Sequence, residues 1–160
     1  GHPFVTAKVG EANVLQTMKA CGASIGGEGN GGVILPAINA CRDSFVGMFL
    51  IMDLVTVMRE PLSRVVEIFH EKIAPRYAML NDKISFSGDL ASGLRRFRDA
   101  CSKSGKPYEA MDIDGLRIDF EDGWVHLRES NTEPIVRVIA EAGTEARARQ
   151  LVALARGALE

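Results

Sequence analysis

The feature that most constrains the fold is a pair of strand-like segments on either side of one polar turn. Residues 124–127 alternate large apolar and polar side chains, and residues 135–140 are β-branched and apolar around a single arginine. Pro134 in the turn fixes a φ angle and has no N–H to donate, which stiffens the connection. The pattern predicts a β-hairpin and therefore an antiparallel sheet in this half of the chain.

The turn of this hairpin collects side chains that donate hydrogen bonds. The donors are Arg128, Ser130, Asn131, Thr132 and Arg137. Each arginine offers a planar fork of five donors, and such forks match the oxygens of a phosphate group. The residues alone also allow a purely solvated turn, in which the arginines pair with Glu129 and Glu133.

A second candidate site is the glycine-rich stretch Gly27-Glu28-Gly29-Asn30-Gly31-Gly32. Its glycine spacing formally matches the dinucleotide fingerprint, but that fingerprint requires a helix to begin at the loop, and the segment 33–35 before Pro36 is extended. Glycines let the backbone approach a ligand, and the Glu28 carboxylate can accept hydrogen bonds from two neighbouring sugar hydroxyls. The other interpretation is a mobile surface turn with an exposed glutamate.

The remaining pattern predicts an α/β part over residues 1–75, followed by an α+β domain over residues 76–160. In the first part we expect strands at 4–8, 23–25 and 33–35, and helices at 11–21, 44–59 and 61–73. In the second we expect an antiparallel sheet of about four strands covered by two helices. The strongly apolar segment 45–58 is too short to span a bilayer, which needs roughly 20 residues, and predicts a helix buried in protein.

Composition and charge narrow the classes of function. An apolar fraction of 46% and a charged fraction of 25% are those of a soluble globular protein. The net charge of −2 provides no basic field, so neither nucleic acid nor a membrane is an expected partner. Cys21, Cys41 and Cys101 are far apart, and we expect three reduced, buried thiols in a cytoplasmic protein and no metal site.

Specific motifs resemble the α-D-phosphohexomutase family. The run Arg128-x-Ser-Asn-Thr-Glu-Pro-x-x-Arg137 is similar to the phosphate-binding loop in the last domain of these enzymes. Three flanking segments resemble the same family: Asp114-Gly115-Leu116-Arg117-Ile118, Gly123-Trp124-Val125-His126 and Arg137-Val138-Ile139-Ala140-Glu141-Ala142. The resemblance implies that the five donor residues of the turn, Arg128, Ser130, Asn131, Thr132 and Arg137, bind the phosphate that is not being transferred.

The glycine-rich stretch resembles the sugar-binding loop of the same family. Many members have Gly-Glu-x-Ser-Gly-His, where this chain has Asn30 and Gly32 in place of the serine and histidine. This variant is similar to a subset of phosphoglucosamine mutases. The stretch Lys8-Val9-Gly10 resembles a further element, whose lysine lies in the active-site cleft. The resemblance thus implies that Glu28, Asn30 and Lys8 contact the sugar.

The resemblance covers the later part of the third domain and the whole of the fourth domain of a four-domain enzyme. The family's phosphoserine loop and Mg²⁺ loop have no counterpart in this sequence, so we expect no catalytic or metal-binding residue in this chain and no activity of the chain alone. The first residues, Gly1 and His2, suit a cleaved tag or a cut from a larger protein. The expected partners are a phosphorylated hexose, a sugar bisphosphate activator and the first two domains, with possible self-association through the incomplete third domain.

The leading hypothesis is therefore a part of a phosphohexomutase, which interconverts hexose 6-phosphate and hexose 1-phosphate through a phosphoserine. Phosphoglucosamine mutase is the first choice, and a phosphomannomutase/phosphoglucomutase is the alternative. A stand-alone phosphosugar-binding module and a purely structural or interaction domain are two further hypotheses. A reading frame that runs upstream into the serine and metal loops would select the leading hypothesis, a part of a phosphohexomutase.

Overall fold

The computed structural model describes residues 3–72, 75–86, 88–130 and 133–159. The chain divides into two compact units, Gly1–Ala74 and Pro75–Glu160. Within the described ranges, none of the helices combines the length and apolar character needed to cross a bilayer.

The first unit contains three helices and a small antiparallel sheet with the strand order β1-β2-β3. Its elements are α1 Glu11–Cys21, β1 Gly26–Gly27, β2 Val33–Leu35, β3 Asn39–Arg42, α2 Ser44–Met58 and α3 Leu62–Lys72. Helix α1 ends at Gly22, whose positive φ of 68° suits glycine, and packs Val14 and Met18 against Ile34 of β2. The helices and the strand 33–35 are confirmed.

Two predicted strands of the first unit are wrong. Residues 4–8 and 23–25 form no strand, and β1 and β3 pair with β2 instead. Phe4 is 90% exposed, so the apolar residues of the first segment have no sheet face to cover. A strand needs a partner as well as an alternating pattern, and pairing is not visible in the local sequence.

Helix α2 is the largest departure from expectation. Asp43 caps it, since its carboxylate accepts hydrogen bonds from the backbone N–H groups of Phe45 and Val46. Burial of the helix was expected, but Val46 is its only buried residue, and Phe45 is 72% exposed. An apolar pattern all round a helix predicts burial only if other elements cover every side. Here the contacts of α2 are with β2 and α3.

The second unit is a five-stranded antiparallel sheet with two helices on one face, in the strand order β4-β8-β7-β6-β5. Its elements are β4 Ala78–Ser85, α4 Leu90–Lys103, β5 Tyr108–Met111, β6 Leu116–Phe120, β7 Gly123–Glu129, β8 Ile135–Ala142 and α5 Glu145–Leu159. The α+β fold class is confirmed, with five strands instead of about four. Asp89 caps α4, and its carboxylate accepts from the backbone N–H groups of Ala91 and Ser92.

The core of the second unit lies between the sheet and its helices. Every second residue of β8 is buried, and Phe97 of α4 and Leu151 of α5 are fully buried against them. Gly115, with a φ of 75°, turns the chain into β6, where a Cβ would lie 2.1 Å from the Leu127 carbonyl oxygen. The opposite face of the sheet carries the other half of the alternating residues, in which charged side chains such as Arg128 and Arg137 stand beside apolar ones such as Ile139.

The three cysteines differ in exposure, although all were expected to be buried. Cys21 is exposed, Cys41 is half-buried and only Cys101 is fully buried. Burial in the core raises the pKa of the Cys101 thiol to about 11. The prediction of three buried thiols is therefore correct for Cys101 only.

Candidate functional site

The polar turn predicted from the sequence closes the hairpin of β7 and β8. Arg128 and Arg137 are directly opposite each other in this pair of strands. The N–H of Ser130 donates to the carbonyl oxygen of Ile135 at 3.0 Å, and Ser130 is buried. Asn131 and Thr132, two of the predicted phosphate ligands, lie outside the described residues.

A third cation joins the two arginines on the same face of the sheet. Lys83 of β4 is the direct cross-strand partner of Arg137, so Lys83, Arg137 and Arg128 form one row across three strands. The carboxylate oxygen Oε2 of Glu133 lies 3.4 Å from Nζ of Lys83 and 3.6 Å from a terminal nitrogen of Arg137. One carboxylate therefore faces two of the three cations.

The row of cations is electrostatically unfavourable by itself. Like charges placed directly opposite each other on neighbouring strands are destabilising. Moreover, Nε of Arg128 is buried and has no hydrogen-bond partner among the described residues, and an unpaired buried donor costs stability. An anion with several oxygens would relieve both costs, so the arrangement favours binding of a phosphate-like group.

Neighbouring charged residues on this face are already engaged with one another. Arg117 donates to both carboxylate oxygens of Asp119, and its guanidinium lies 4.1 Å from the centre of the Trp124 ring. Burial lowers the pKa of His126, and the ring contacts the Asp114 carbonyl oxygen. Because Arg117 is paired with Asp119 and the pKa of His126 is lowered, the row of Lys83, Arg137 and Arg128 is the main source of positive charge among the described residues of this face.

The glycine-rich stretch forms the turn of a second hairpin, between β1 and β2. Gly27 pairs with Val33, the N–H of Glu28 donates to the Gly32 carbonyl oxygen, and the N–H of Gly31 donates to the Glu28 carbonyl oxygen. Gly31 has a φ of 91°, which glycine adopts without strain. A strand and not a helix follows the loop, as predicted.

Glu28 is held inside this loop and does not extend into solvent. Its side chain is 10% exposed, and Oε1 accepts the backbone N–H of Gly10 at 3.0 Å. The other oxygen, Oε2, lies 3.4 Å from a terminal nitrogen of Arg42 on β3. The interpretation as a turn with an exposed glutamate is therefore wrong, because the carboxylate satisfies a backbone donor and a guanidinium.

The structure brings together two of the predicted motifs of the first unit. The Gly10 N–H that binds Glu28 belongs to the stretch Lys8-Val9-Gly10, and Lys8 itself is exposed. Asn30 is also exposed, and its side-chain oxygen accepts the backbone N–H of Gly32 at 3.1 Å. Thus Glu28 is fixed by two partners, whereas Lys8 and Asn30 lie at the surface of the unit.

Sequence reasoning missed Arg42 and Lys83. Both lie on strands, and each is placed at its site by a neighbouring strand: Arg42 is opposite Ile34, and Lys83 is opposite Arg137. Lys83 has a local signal, since it is a cation at an exposed position of an alternating strand. In the described ranges, no three His, Cys, Asp or Glu side chains are grouped so that they could hold a metal ion.

Two family models match consecutive parts of the chain. The model described as "Phosphoglucomutase/phosphomannomutase, alpha/beta/alpha domain III" matches residues 1–72. The model described as "Phosphoglucomutase/phosphomannomutase, C-terminal domain" matches residues 87–158. The first contains the glycine-rich loop, and the second contains the hairpin with the row of cations.

Individual proteins agree with these models. A protein of Pyrococcus furiosus named "Probable phosphoglucosamine mutase" is 32% identical over 98% of this chain and 34% of its own length. A "Phosphoglucomutase/phosphomannomutase" of Thermococcus kodakarensis is 31% identical over 100% of this chain and 34% of its own length. The chain thus spans about a third of the length of the curated relatives it matches.

Solved structures show the same fold. The crystal structure of a phosphoglucomutase/phosphomannomutase family protein from Burkholderia thailandensis superposes with a TM-score of 0.75 and 22% sequence identity. The match covers 96% of this chain and 31% of that chain.

Proposed function

Because both family models describe domains of one family, the chain belongs to the phosphoglucomutase/phosphomannomutase family, and we propose that it supplies the two substrate-binding loops of a phosphohexomutase. In this proposal residues 1–75 correspond to part of the third domain of the family and residues 76–160 to the fourth. The hairpin binds a phosphate group of the substrate, and the glycine-rich loop binds the hydroxyls of the hexose.

The observation that carries the proposal is the row of Lys83, Arg137 and Arg128. Three cations side by side, with one buried guanidinium nitrogen unpartnered among the described residues, form a site whose charge is balanced best by an added anion. Arginine forks bind phosphate through two parallel hydrogen bonds. Ser130, Asn131 and Thr132, which follow β7 in the sequence, are proposed to add neutral donors to the same site.

The glycine-rich loop is proposed to fix the orientation of the sugar. A carboxylate offers about four acceptor positions; Glu28 uses one of them for the Gly10 N–H and forms an ion pair with Arg42 at 3.4 Å. The remaining positions are available to two adjacent hydroxyls of a hexose. Lys8 and Asn30, both exposed, are proposed as further polar contacts to the sugar.

The proposal gives this chain the binding and positioning half of phosphoryl transfer. Transfer reactions of this kind depend on positioning and on neutralisation of charge. The resemblance implies that a phosphoserine donates the phosphoryl group and that Mg²⁺ neutralises its charge, with a sugar bisphosphate as activator. No residue of this chain is assigned to either role.

Glucosamine phosphate is our first choice of substrate, after the name of the Pyrococcus relative. The Thermococcus relative, named a phosphoglucomutase/phosphomannomutase, favours glucose or mannose phosphate as the alternative. Calorimetry with the 6-phosphates of glucosamine, glucose and mannose distinguishes the two. The first choice is wrong if glucosamine 6-phosphate does not bind more tightly than the other two.

Arg137→Ala tests the phosphate site. A hydrogen bond to a charged group contributes roughly 1.5–3 kcal/mol, so the variant is expected to bind a hexose 6-phosphate about 10–100-fold more weakly. Arg149→Ala is the matched control, because Arg149 is an exposed arginine of α5 whose partner is Glu145. Equal affinity of wild type and Arg137→Ala in calorimetry would show that the hairpin is not the phosphate site.

A further inference from the structure

The last glycine of the glycine-rich loop and the Arg42 side chain fit each other in shape. A Cβ atom at Gly32 would lie 2.4 Å from Cδ and 3.1 Å from Cγ of Arg42. Gly32 does not have the positive φ that would require glycine for conformational reasons. The reason for glycine at this position is therefore space: any side chain here would displace the stem of Arg42.

Displacing that stem would break a set of charged contacts. Nε of Arg42 donates to Oε2 of Glu11 at 2.8 Å, and its backbone N–H donates to Oε1 of the same residue at 3.1 Å. A terminal nitrogen of Arg42 also lies 3.4 Å from Oε2 of Glu28. The hydrogen bond to Glu11 is the main reason why the pKa of Arg42 is raised. Arg42 thus joins helix α1 to the carboxylate in the loop.

Glu28 depends on Arg42 more than Arg42 depends on Glu28. The Glu28 side chain is 10% exposed, and Gly10 supplies only one backbone donor to it. A largely buried carboxylate that loses its cation no longer has its desolvation offset, so it moves toward water. This movement would displace the acceptor that the sugar loop presents.

We propose that Arg42 is a positioning residue for sugar binding, and that Gly32 is glycine in order to admit it. Arg42 holds the Glu28 carboxylate in place so that its free acceptor positions meet hydroxyls of a hexose phosphate. The identity of this ligand rests on the proposed function, whereas the pairing of Arg42 with Gly32 does not. A histidine at position 32, as in the Gly-Glu-x-Ser-Gly-His form of the loop, is incompatible with this placement of Arg42.

A double-mutant cycle tests the pairing without any ligand. Hydrogen exchange of the Gly10 and α1 amides measures local opening in Gly32→Ala, Arg42→Ala and the double variant. If Gly32→Ala acts by expelling Arg42, each single change raises the opening constant by a similar factor, on the order of tenfold, and the double variant adds little. Independent, multiplying effects of the two changes would overturn the pairing.

Affinity for two ligands tests the positioning role. We expect Arg42→Ala to weaken glucosamine 6-phosphate binding on the order of tenfold, with Arg42→Lys intermediate, and to leave the affinity for inorganic phosphate unchanged. Arg64→Ala is the matched control, since this partly exposed arginine of α3 forms its ion pairs in the described part of the chain with Glu67 and Glu71. Equal loss for both ligands, or no loss for the hexose phosphate, would overturn the positioning role.

If the proposed function is wrong, the affinities differ from those expected when only the positioning role is wrong. In that case the wild-type chain binds glucosamine 6-phosphate no better than inorganic phosphate, and the proposed sugar site is refuted together with the positioning role. The double-mutant cycle still decides whether Arg42 and Gly32 are paired. The chemical shift of the Gly10 amide proton provides a second ligand-free measurement, because it reports the hydrogen bond to Glu28 and is expected to change in Arg42→Ala but not in Arg64→Ala.

Discussion

The two candidate loops balance their charges in opposite ways. In the glycine-rich loop one nearly buried carboxylate, Glu28, is met by a backbone N–H and by Arg42. In the hairpin three cations lie in a row, and Glu133, which is 46% exposed, is the acid that faces two of them. The first loop is internally satisfied, whereas the second has an excess of positive charge. We therefore expect the first loop to contribute to stability and the second to cost stability until an anion binds.

The largest expected effect is on the stability of the first unit in Glu28→Gln. The change keeps the shape and the acceptor for Gly10 but removes the negative charge that faces Arg42. Since Glu28 is nearly buried and Arg42 is partly exposed, we expect a loss of about 1–2 kcal/mol in the local opening free energy. Hydrogen exchange of the α1 amides measures it. An unchanged opening free energy would show that the loop does not depend on this charge.

The contacts of Glu28 also correct a simpler interpretation of the sequence. Glycines on both sides of Glu28 allowed a mobile surface turn with an exposed glutamate. The hydrogen bond to Gly10 and the ion pair with Arg42 come from residues 18 and 14 positions away. If Glu28 binds the sugar as proposed, stability and binding depend on the same carboxylate.

The second expected effect is a gain in stability, in the second unit. Arg128→Met removes one of two directly opposed arginines and a buried nitrogen without a described partner. We expect the second unit to become more stable by about 0.5–1 kcal/mol, while affinity for inorganic phosphate falls about 10–100-fold. Denaturant unfolding is followed through Trp124, the only tryptophan of the chain. Destabilisation by Arg128→Met would show that the arginines support the hairpin instead of straining it.

Local signals in the sequence were the most reliable guide to the fold. Asp43 and Asp89 mark helix starts because capping involves only the next two or three residues. Strand pairing is not local: the segment 4–8 has a strand-like pattern but no partner, whereas β3 was missed because its pairing with Ile34 is set by the fold. The apolar helix α2 was expected to be buried, since sequence shows what a helix can bury but not what covers it.

The same distinction applies to the candidate sites. Arg128, Ser130 and Arg137 lie close together in one hairpin, so a short motif identified them. Arg42 and Lys83 have no motif, because each is brought to its site by a neighbouring strand. Ligand contact of the predicted site residues stays a prediction, and Asn131 and Thr132 lie outside the part of the chain that the structure describes.

The smallest expected effect concerns the acid in the cationic row. Glu133 lies within 3.6 Å of both Lys83 and Arg137, and all three side chains are partly exposed. Such exposed pairs contribute about 0–1 kcal/mol, so Glu133→Gln is expected to change the stability of the second unit by less than about 0.5 kcal/mol. The carboxylate nevertheless competes with a phosphate for the same two cations. We therefore expect Glu133→Gln to bind inorganic phosphate a few-fold more tightly.

Two comparisons distinguish this competition from a general effect of charge. Glu145→Gln makes the same change at an exposed position of α5, where the partner is Arg149, and is expected to leave phosphate affinity unchanged. Adding salt weakens exposed charge interactions, so the gain from Glu133→Gln is expected to shrink as ionic strength rises. Calorimetry with inorganic phosphate at two salt concentrations measures both the affinity of the Glu145→Gln control and the salt dependence of the gain from Glu133→Gln. If Glu145→Gln raised affinity as much as Glu133→Gln, overall charge would explain the gain, and Glu133 would not be a competitor for the row of Lys83, Arg137 and Arg128.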